Sequence, residues 1–242
     1  TDVSVRVDHS RYADSRWYTG SGIYRDVWLI AAPEIHLAQW GTSWHATSLT
    51  NRQATIAVDM EVQKHIATND RLELSATLYD AVGKQVAQRR TRVSDGKEGI
   101  TKENLTLKIT NPHRWNLDDP YLYTLKTELL SNGQRIDGCE TKVGLRTLKF
   151  DPNKGFALND NWMKVKGVCL HHDAGVLGAV VPPEVWERRL NNLKEIGVNA
   201  IRMSHNPQAP VVYDLCDRLG LLIMDEASDE WEFPKRKWVK GW

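Results

Sequence analysis

The sequence predicts two unlike architectures in series: an all-β sandwich of immunoglobulin type over residues 34–147, then a parallel α/β sheet from residue 148 onward. Three observations carry this. Several stretches of the first half alternate apolar and polar residues, the period of a half-buried strand. Turn signals separate those stretches at short, regular spacing. In the last ninety or so residues the alternation gives way to continuous apolar runs separated by helical patterns, as in strands buried on both faces.

In chain order, "VSVRVDHS" is a short alternating strand, and "RWYTGSGIYRDVWLIA" is aromatic-rich and leads into another; alone they are too few residues for a domain. In "ATIAVDMEVQ", Ile56, Val58, Met60 and Val62 share one face. Leu72, Leu74, Ala76 and Leu78 do so in "RLELSATLY", Leu105, Leu107 and Ile109 in "ENLTLKI", and Tyr123, Leu125, Thr127 and Leu129 in "YLYTLKTELL". "DAVGKQ", "SDGKEG" and "SNGQ" are the turns between them. The Asn132-Gly133 pair predicts a two-residue hairpin, because both residue types tolerate positive φ. About seven such strands make a sandwich, without the Cys…Trp…Cys spacing of antibody domains. After "GLRTLKFDPNKG" come a strand in "MKVKGVCL", a helix in "PPEVWERRLNNLKEIG", a strand in "VNAIRMS", a helix in "PVVYDLCDRLG" and a strand in "LLIMDEA". Pro183 and Pro210 open the helices, Gly197 and Gly220 close them, and Trp186, Leu190 and Leu193 share a face of the first. This order is βαβαβ, a parallel sheet with right-handed crossovers.

Composition narrows the partners. Lys and Arg number 32 against 31 Asp and Glu, a net charge of +1. A chain so balanced is not expected to bind nucleic acid or an anionic membrane. No apolar run is long enough to span a bilayer, and the N-terminus shows neither the basic nor the apolar region of a signal peptide. No initiating Met is present, from which upstream sequence is expected; the compartment, bacterial cytoplasm or periplasm, is left open. Cys139, Cys169 and Cys216 fit no metal spacing and read as buried free thiols. The ten tryptophans are core residues in the plain reading, while indole faces also stack on sugars.

In parallel α/β architectures functional groups gather at the C-terminal ends of the strands. Here these ends carry His171, His172 and Asp173, then Arg202, Ser204, His205 and Asn206, then Asp225, Glu226, Asp229 and Glu230. A single strand-end histidine is usually a capped structural residue; three consecutive polar ends point to a shared pocket. A metal reading of His171, His172, His205, Asp225 and Glu226 lacks an HExxH-like pair. Ser204 and His205 are no dyad by adjacency, because strand neighbours face opposite ways. "GVLGAVV" lacks the glycine spacing of a dinucleotide loop. A sugar pocket remains, where hydroxyls meet fixed hydrogen-bond partners.

Three motifs, in order, resemble glycoside hydrolase family 2, the family of β-galactosidases, β-glucuronidases and β-mannosidases. "RWYTGSGIYRDVWL" resembles the end of that family's N-terminal jelly-roll sugar-binding domain, "NPHRWNLDDPYLYTLKTEL" with "VGLRTLKF" the closing strands of its Ig-like domain, and "NAIRMSHNPQAPVVYDLCDRLGLLIMDEA" the signature at barrel strands two and three. "KGVCLHHD" resembles the first barrel strand. The resemblance implies a jelly-roll tail at 1–33, the Ig-like sandwich at 34–147 and the first part of a (β/α)8 TIM barrel at 148–242. It further implies that Arg202 fixes the carboxylate of the catalytic nucleophile, that His171 and His205 contact the sugar, and that Asp225 and Glu226 support the pocket floor. An internal salt bridge from Arg202 to Asp225 or Glu226 is the plain reading of the same residues, and the two are compatible.

Departures from the family pattern are Cys169 for Asn, His172 for Glu and Asn206 for Tyr. Glu230 matches the Glu of the galactosidase branch's magnesium site, but Glu232 stands where its His should be, so no magnesium or other metal is assigned. No Asn-Glu pair occurs, and a full barrel needs about 250 residues. Both catalytic glutamates are therefore expected beyond Trp242. The expectation is an internal piece of a retaining β-glycosidase, β-galactosidase-like and acting on a carbohydrate substrate, the piece itself inactive. The rival readings are a non-catalytic carbohydrate-binding or interaction module and, behind it, a metal hydrolase. Uncovered apolar faces predict association, a homo-oligomer included.

Overall fold

The computed structural model describes residues 2–8 and 22–227. Two compact units are present, Leu29–Met163 and, separately, the residues up to Trp28 together with those from Lys164 onward.

The first unit is the sandwich. Its strands are β1 (Ile35–Leu49), β2 (Gln53–Lys64), β3 (Leu72–Tyr79), β4 (Gln85–Arg92), β5 (Gly99–Thr110), β6 (Tyr123–Ser131) and β7 (Gln134–Val143). They form a three-stranded sheet in the order β1-β2-β5 and a four-stranded sheet in the order β4-β3-β6-β7, antiparallel throughout. The alternating apolar residues meet between the sheets: Ile56, Val58, Met60, Leu74, Leu78, Leu105, Leu107, Leu125 and Leu129 belong to one buried cluster. The hairpin at Asn132-Gly133 forms as expected, with φ of 50° and 84°; the second is a value that a side chain would strain. The β6–β7 hairpin also leaves β7 at the sheet's edge, as β4 is at the other. On β4, Arg89 lies opposite the buried Ala76, so an arginine occupies a core-side position on an exposed strand.

A further antiparallel meander follows, β8 (Leu148–Asp151), β9 (Gly155–Leu158) and β10 (Asn161–Met163), in the order β10-β9-β8. It was not expected beyond the run ending at Phe150. Trp115 is fully buried, and its carbonyl accepts a hydrogen bond from Asn159 Nδ2 at 2.9 Å.

In the second unit, β11 (Gly167–Leu170), α1 (Pro183–Glu195), β12 (Ala200–Met203), α2 (Pro210–Leu219) and β13 (Leu222–Met224) follow in the expected order, and the strands pair in parallel as β11-β12-β13. Pro183 and Pro210 sit in the first turns, where a missing N–H costs nothing. Gly220 caps α2 in the left-handed region at φ 74°. Leu170, Ile201 and Met203 pack with Trp186, Leu190, Val212 and Leu215 of the helices in one cluster. The expectation of strands buried on both faces is corrected here. Among the described residues the helix-side face is covered, whereas on the other face Ala200 and Leu222 are buried but Cys169 and Met224, at the strand ends, are exposed. Among the described residues the sheet has three strands and does not close.

Two further expectations are corrected. Residues 2–8 contain no strand, so the strand expected at "VSVRVDHS" is not formed over its described residues; a strand exists through its neighbours' hydrogen bonds, and alternation alone does not supply them. The segment "RWYTGSGIYRDVWLIA" does lead into a strand, β1. The jelly-roll motif's first part, 16–21, lies outside the described residues. Of the three thiols only Cys216 is buried, because Cys139 lies on the edge strand β7 and Cys169 on the open face of β11. The tryptophans divide: Trp115 and Trp186 are core, whereas Trp28, Trp40 and Trp162 are exposed. No described helix is long and apolar enough to cross a membrane.

Candidate functional site

The parallel register sets Cys169 beside Arg202, and Arg202 beside Met224. These three share the face that the helices do not cover, while Ile201 and Met203 point to the helix side. The loop after each strand then delivers polar groups to one end of the sheet. Ser204 N donates to the Leu170 carbonyl at 3.0 Å, and Gln208 Nε2 to the same carbonyl at 3.3 Å, which ties the β12 loop to the end of β11.

Arg202 is the centre of this cluster. Its Nε donates to Oε1 of Glu226 at 2.6 Å, and its Nη2 pairs with the same oxygen. Its Nη1 donates to Cys169 Sγ at 3.4 Å. A guanidinium has five N–H donors in a rigid fork, so these contacts leave one N–H on each terminal nitrogen for another acceptor. His205 Nδ1 lies 3.3 Å from the second oxygen of Glu226, and the His205 ring meets His171 edge-on at 5.4 Å. The Ser204–His205 peptide is cis.

Charges respond to this packing. Burial would raise the Glu226 carboxyl, but the hydrogen bond and charge of Arg202, with His205, outweigh it and hold the group below its ordinary value. The nearby Ser204 hydroxyl and the Arg202 guanidinium, which donates to the sulfur, lower the Cys169 thiol. His171 is lowered by burial first and by the neighbouring His205 second, which favours its neutral form.

Of the five residues singled out by sequence, the structure gathers His171, Arg202, His205 and Glu226. Asp225 stands slightly apart: it accepts from the Tyr213 hydroxyl at 2.9 Å and from the Glu226 backbone N–H at 3.1 Å. Between the two carboxylates left open by the sequence, Glu226 takes Arg202. Asp229, Glu230 and Glu232 lie outside the described residues. Among the described residues no three His, Cys, Asp or Glu side chains gather as a metal site requires.

Sequence reasoning missed four residues: Cys169, noted only as a departure; Tyr213, which holds Asp225; and Tyr24 and Arg25, which touch His172 and the Pro207 carbonyl. A cavity of about 480 Å³ opens beside the cluster and is lined by Cys169, His171, Asp173, Arg188 and Arg189. A larger one of about 700 Å³ lies on the sandwich unit between β4 and β5, lined by Arg89, Arg90 and Lys108 among others. The strand-end chemistry belongs with the first, because it alone shares residues with the cluster.

A β-sandwich linked in sequence to a parallel sheet with ionisable strand ends is the plan of a multidomain α/β enzyme. The chain belongs to glycosyl hydrolases family 2: that family's model matches residues 35–146, and the model of its TIM barrel domain matches residues 152–233. The chain is 44% identical over 235 residues to the beta-galactosidase BoGH2A of Bacteroides ovatus, covering 96% of this chain and 27% of that protein. It is 32% identical over 236 residues to a beta-glucuronidase of Bacteroides fragilis, covering 93% of this chain and 34% of that protein. Among solved structures, a family 2 member from Bacteroides cellulosilyticus superposes with a TM-score of 0.86 at 35% identity, over 92% of this chain and 29% of that one. The chain thus spans about a third or less of the length of these relatives.

Proposed function

We propose that this chain is part of a retaining β-glycosidase, β-galactosidase-like, to which it contributes the end of a jelly-roll domain (1–33), the Ig-like domain (34–147) and the start of the barrel domain (148–242). The observation that carries the reading is the clamped guanidinium of Arg202, with Glu226 and Cys169 on its sides and its side chain still 41% exposed.

A retaining glycosidase places two carboxyl groups about 5–5.5 Å apart, one as acid/base and one as nucleophile. On this reading both glutamates come from sequence beyond Trp242. Arg202 meets the nucleophile's carboxylate with its two remaining N–H groups, orients it and keeps it ionised. Glu226 keeps Arg202 in place and shares the pocket floor with Asp225. His171, predominantly neutral at neutral pH, and His205 offer ring nitrogens to sugar hydroxyls. The 44% identity to a protein named as a beta-galactosidase favours that activity over the glucuronidase named at 32%.

The test is an assay of the full-length gene product and of the 242-residue chain on chromogenic β-galactosides and β-glucuronides. Turnover of the galactoside by the full-length product, and none by the chain, is expected. Turnover by the chain alone, or a full-length product inert on both substrates, overturns the proposal.

A further inference from the structure

Tyr24 and Arg25 lie far upstream of the strand-end loops, yet both touch them. The Tyr24 ring sits 5.7 Å from that of His172, which follows β11. Arg25 Nη2 donates to the carbonyl of Pro207, in the loop after β12, at 2.7 Å across 182 residues of sequence. The guanidinium also lies 5.1 Å over the Tyr24 ring, so each side chain braces the other.

The reach of Arg25 extends to the third loop. Tyr213 accepts a hydrogen bond from Gln208 N at 3.1 Å and donates to Asp225 after β13 at 2.9 Å. Burial raises the Tyr213 hydroxyl, and Arg25 is among the groups that oppose that rise. At His172, burial lowers the imidazole, Asp173 opposes, and Arg25 adds to the lowering. One cation is therefore felt at the ends of β11 and β12 and, through Tyr213, at β13.

We infer that Tyr24 and Arg25 are positioning residues of the strand-end pocket, a brace that holds the loops carrying His172, His205 and Asp225 in register. The inference rests on the sugar-pocket reading above and adds a wall to it from a segment that sequence reasoning assigned to a different domain. A plain packing contact is the competing explanation. It accounts for the Tyr24 ring contact, but it leaves a planar donor aimed at one loop carbonyl without a purpose.

The experiment compares Arg25→Gln, Arg25→Lys and Tyr24→Phe with the wild-type chain, following the His172 ring signals by NMR through a pH titration. The groups placed around His172 include Asp173, Arg25, Tyr24 and the neighbouring His171. Removing the positive charge in Arg25→Gln raises the His172 pKa, Arg25→Lys leaves it near the wild-type value, and Tyr24→Phe preserves the ring-current shift. In the full-length gene product, Arg25→Gln raises KM about tenfold, the effect of one lost charge-assisted hydrogen bond, with a much smaller change in kcat. An unchanged His172 titration in a normally melting Arg25→Gln variant, or an unchanged KM, overturns the brace. If Arg25→Gln melts early, Arg25→Lys decides through KM: it keeps the charge and loses the fork, so a KM equal to wild type also overturns it. A full-length product with no glycosidase turnover sinks the sugar-pocket reading, while the His172 titration still decides the contact itself.

Discussion

Arg202 and Glu226 meet as a charge-assisted pair, the arginine Nε 2.6 Å from the glutamate Oε1, at positions 24 apart in sequence. The carboxyl is held below its ordinary 4.5 in the folded state. A depressed carboxylate contributes stability that is complete above the unfolded pKa and disappears as pH falls through the folded pKa. Glu226→Gln is therefore expected to flatten the acid limb of a plot of melting temperature against pH, with little difference from wild type in the shape above about pH 6. Parallel acid limbs in the two proteins count against a folded-state pair.

Cys169 and Cys216 separate by reactivity. Cys169 is exposed and lowered by Ser204 and Arg202, whereas burial pushes Cys216 up to about 12. Thiolate is the reacting form, so iodoacetamide at neutral pH labels Cys169 well before Cys216. Arg202→Gln removes a stabilising charge and slows Cys169 labelling severalfold. Peptide mapping over a time course reads both, and labelling of Cys216 first refutes the assignment.

His171 gives a slope of the opposite origin to that of a salt-bridged histidine. Its pKa falls below the ordinary 6.5 on folding, through burial and then His205, while Asp173 opposes. Between the folded and unfolded values the unfolded chain binds more protons, so stability declines as pH drops below 6.5 and levels off beneath the folded pKa. His171→Gln removes that decline. Denaturant midpoints at a series of pH values from 7 to 5 measure it; an equal decline in the variant shows that another group is responsible.

Two substitutions probe the packing of the second unit. Leu190 is fully buried between helix and sheet. Leu190→Ala is expected to cost about 2–5 kcal/mol through lost contacts and a residual cavity. Gly220→Ala forces a side chain into the left-handed region at φ 74° and is expected to cost about 1 kcal/mol. Urea unfolding monitored at the Trp186 indole ranks them, and the reverse order refutes the argument.

What the chain displayed in its sequence was whatever local periodicity encodes. The face of Ile56, Val58, Met60 and Val62 was legible because those residues alternate against a single buried side. Both crossover helices were legible because Pro183, Pro210 and Gly220 have steric preferences at helix ends. The meander at 148–163 escaped because strands of three and four residues are too short to show a period, although Asn159 and Asp160, with φ of 51° and 70°, formed a turn of the type recognised at Asn132-Gly133. The residue types at the strand ends could be read, but their pairing could not. Choosing Glu226 over Asp225 for Arg202 depends on how the chain leaves β13 and on Tyr213, one helix away, engaging Asp225. The Tyr24 and Arg25 contacts span the whole sandwich in sequence, and no local pattern carries that distance.

Arg89 gives the sandwich a way to remain finite. A strand arriving at the free edge of β4 would continue the ladder and draw the side chains beneath it out of water. At the position opposite Ala76 it would enclose a guanidinium for which the sheet's apolar interior has no counter-charge. Pairing of a copy at the β4 edge is thus opposed at Arg89, whose cost arises only when such a copy arrives.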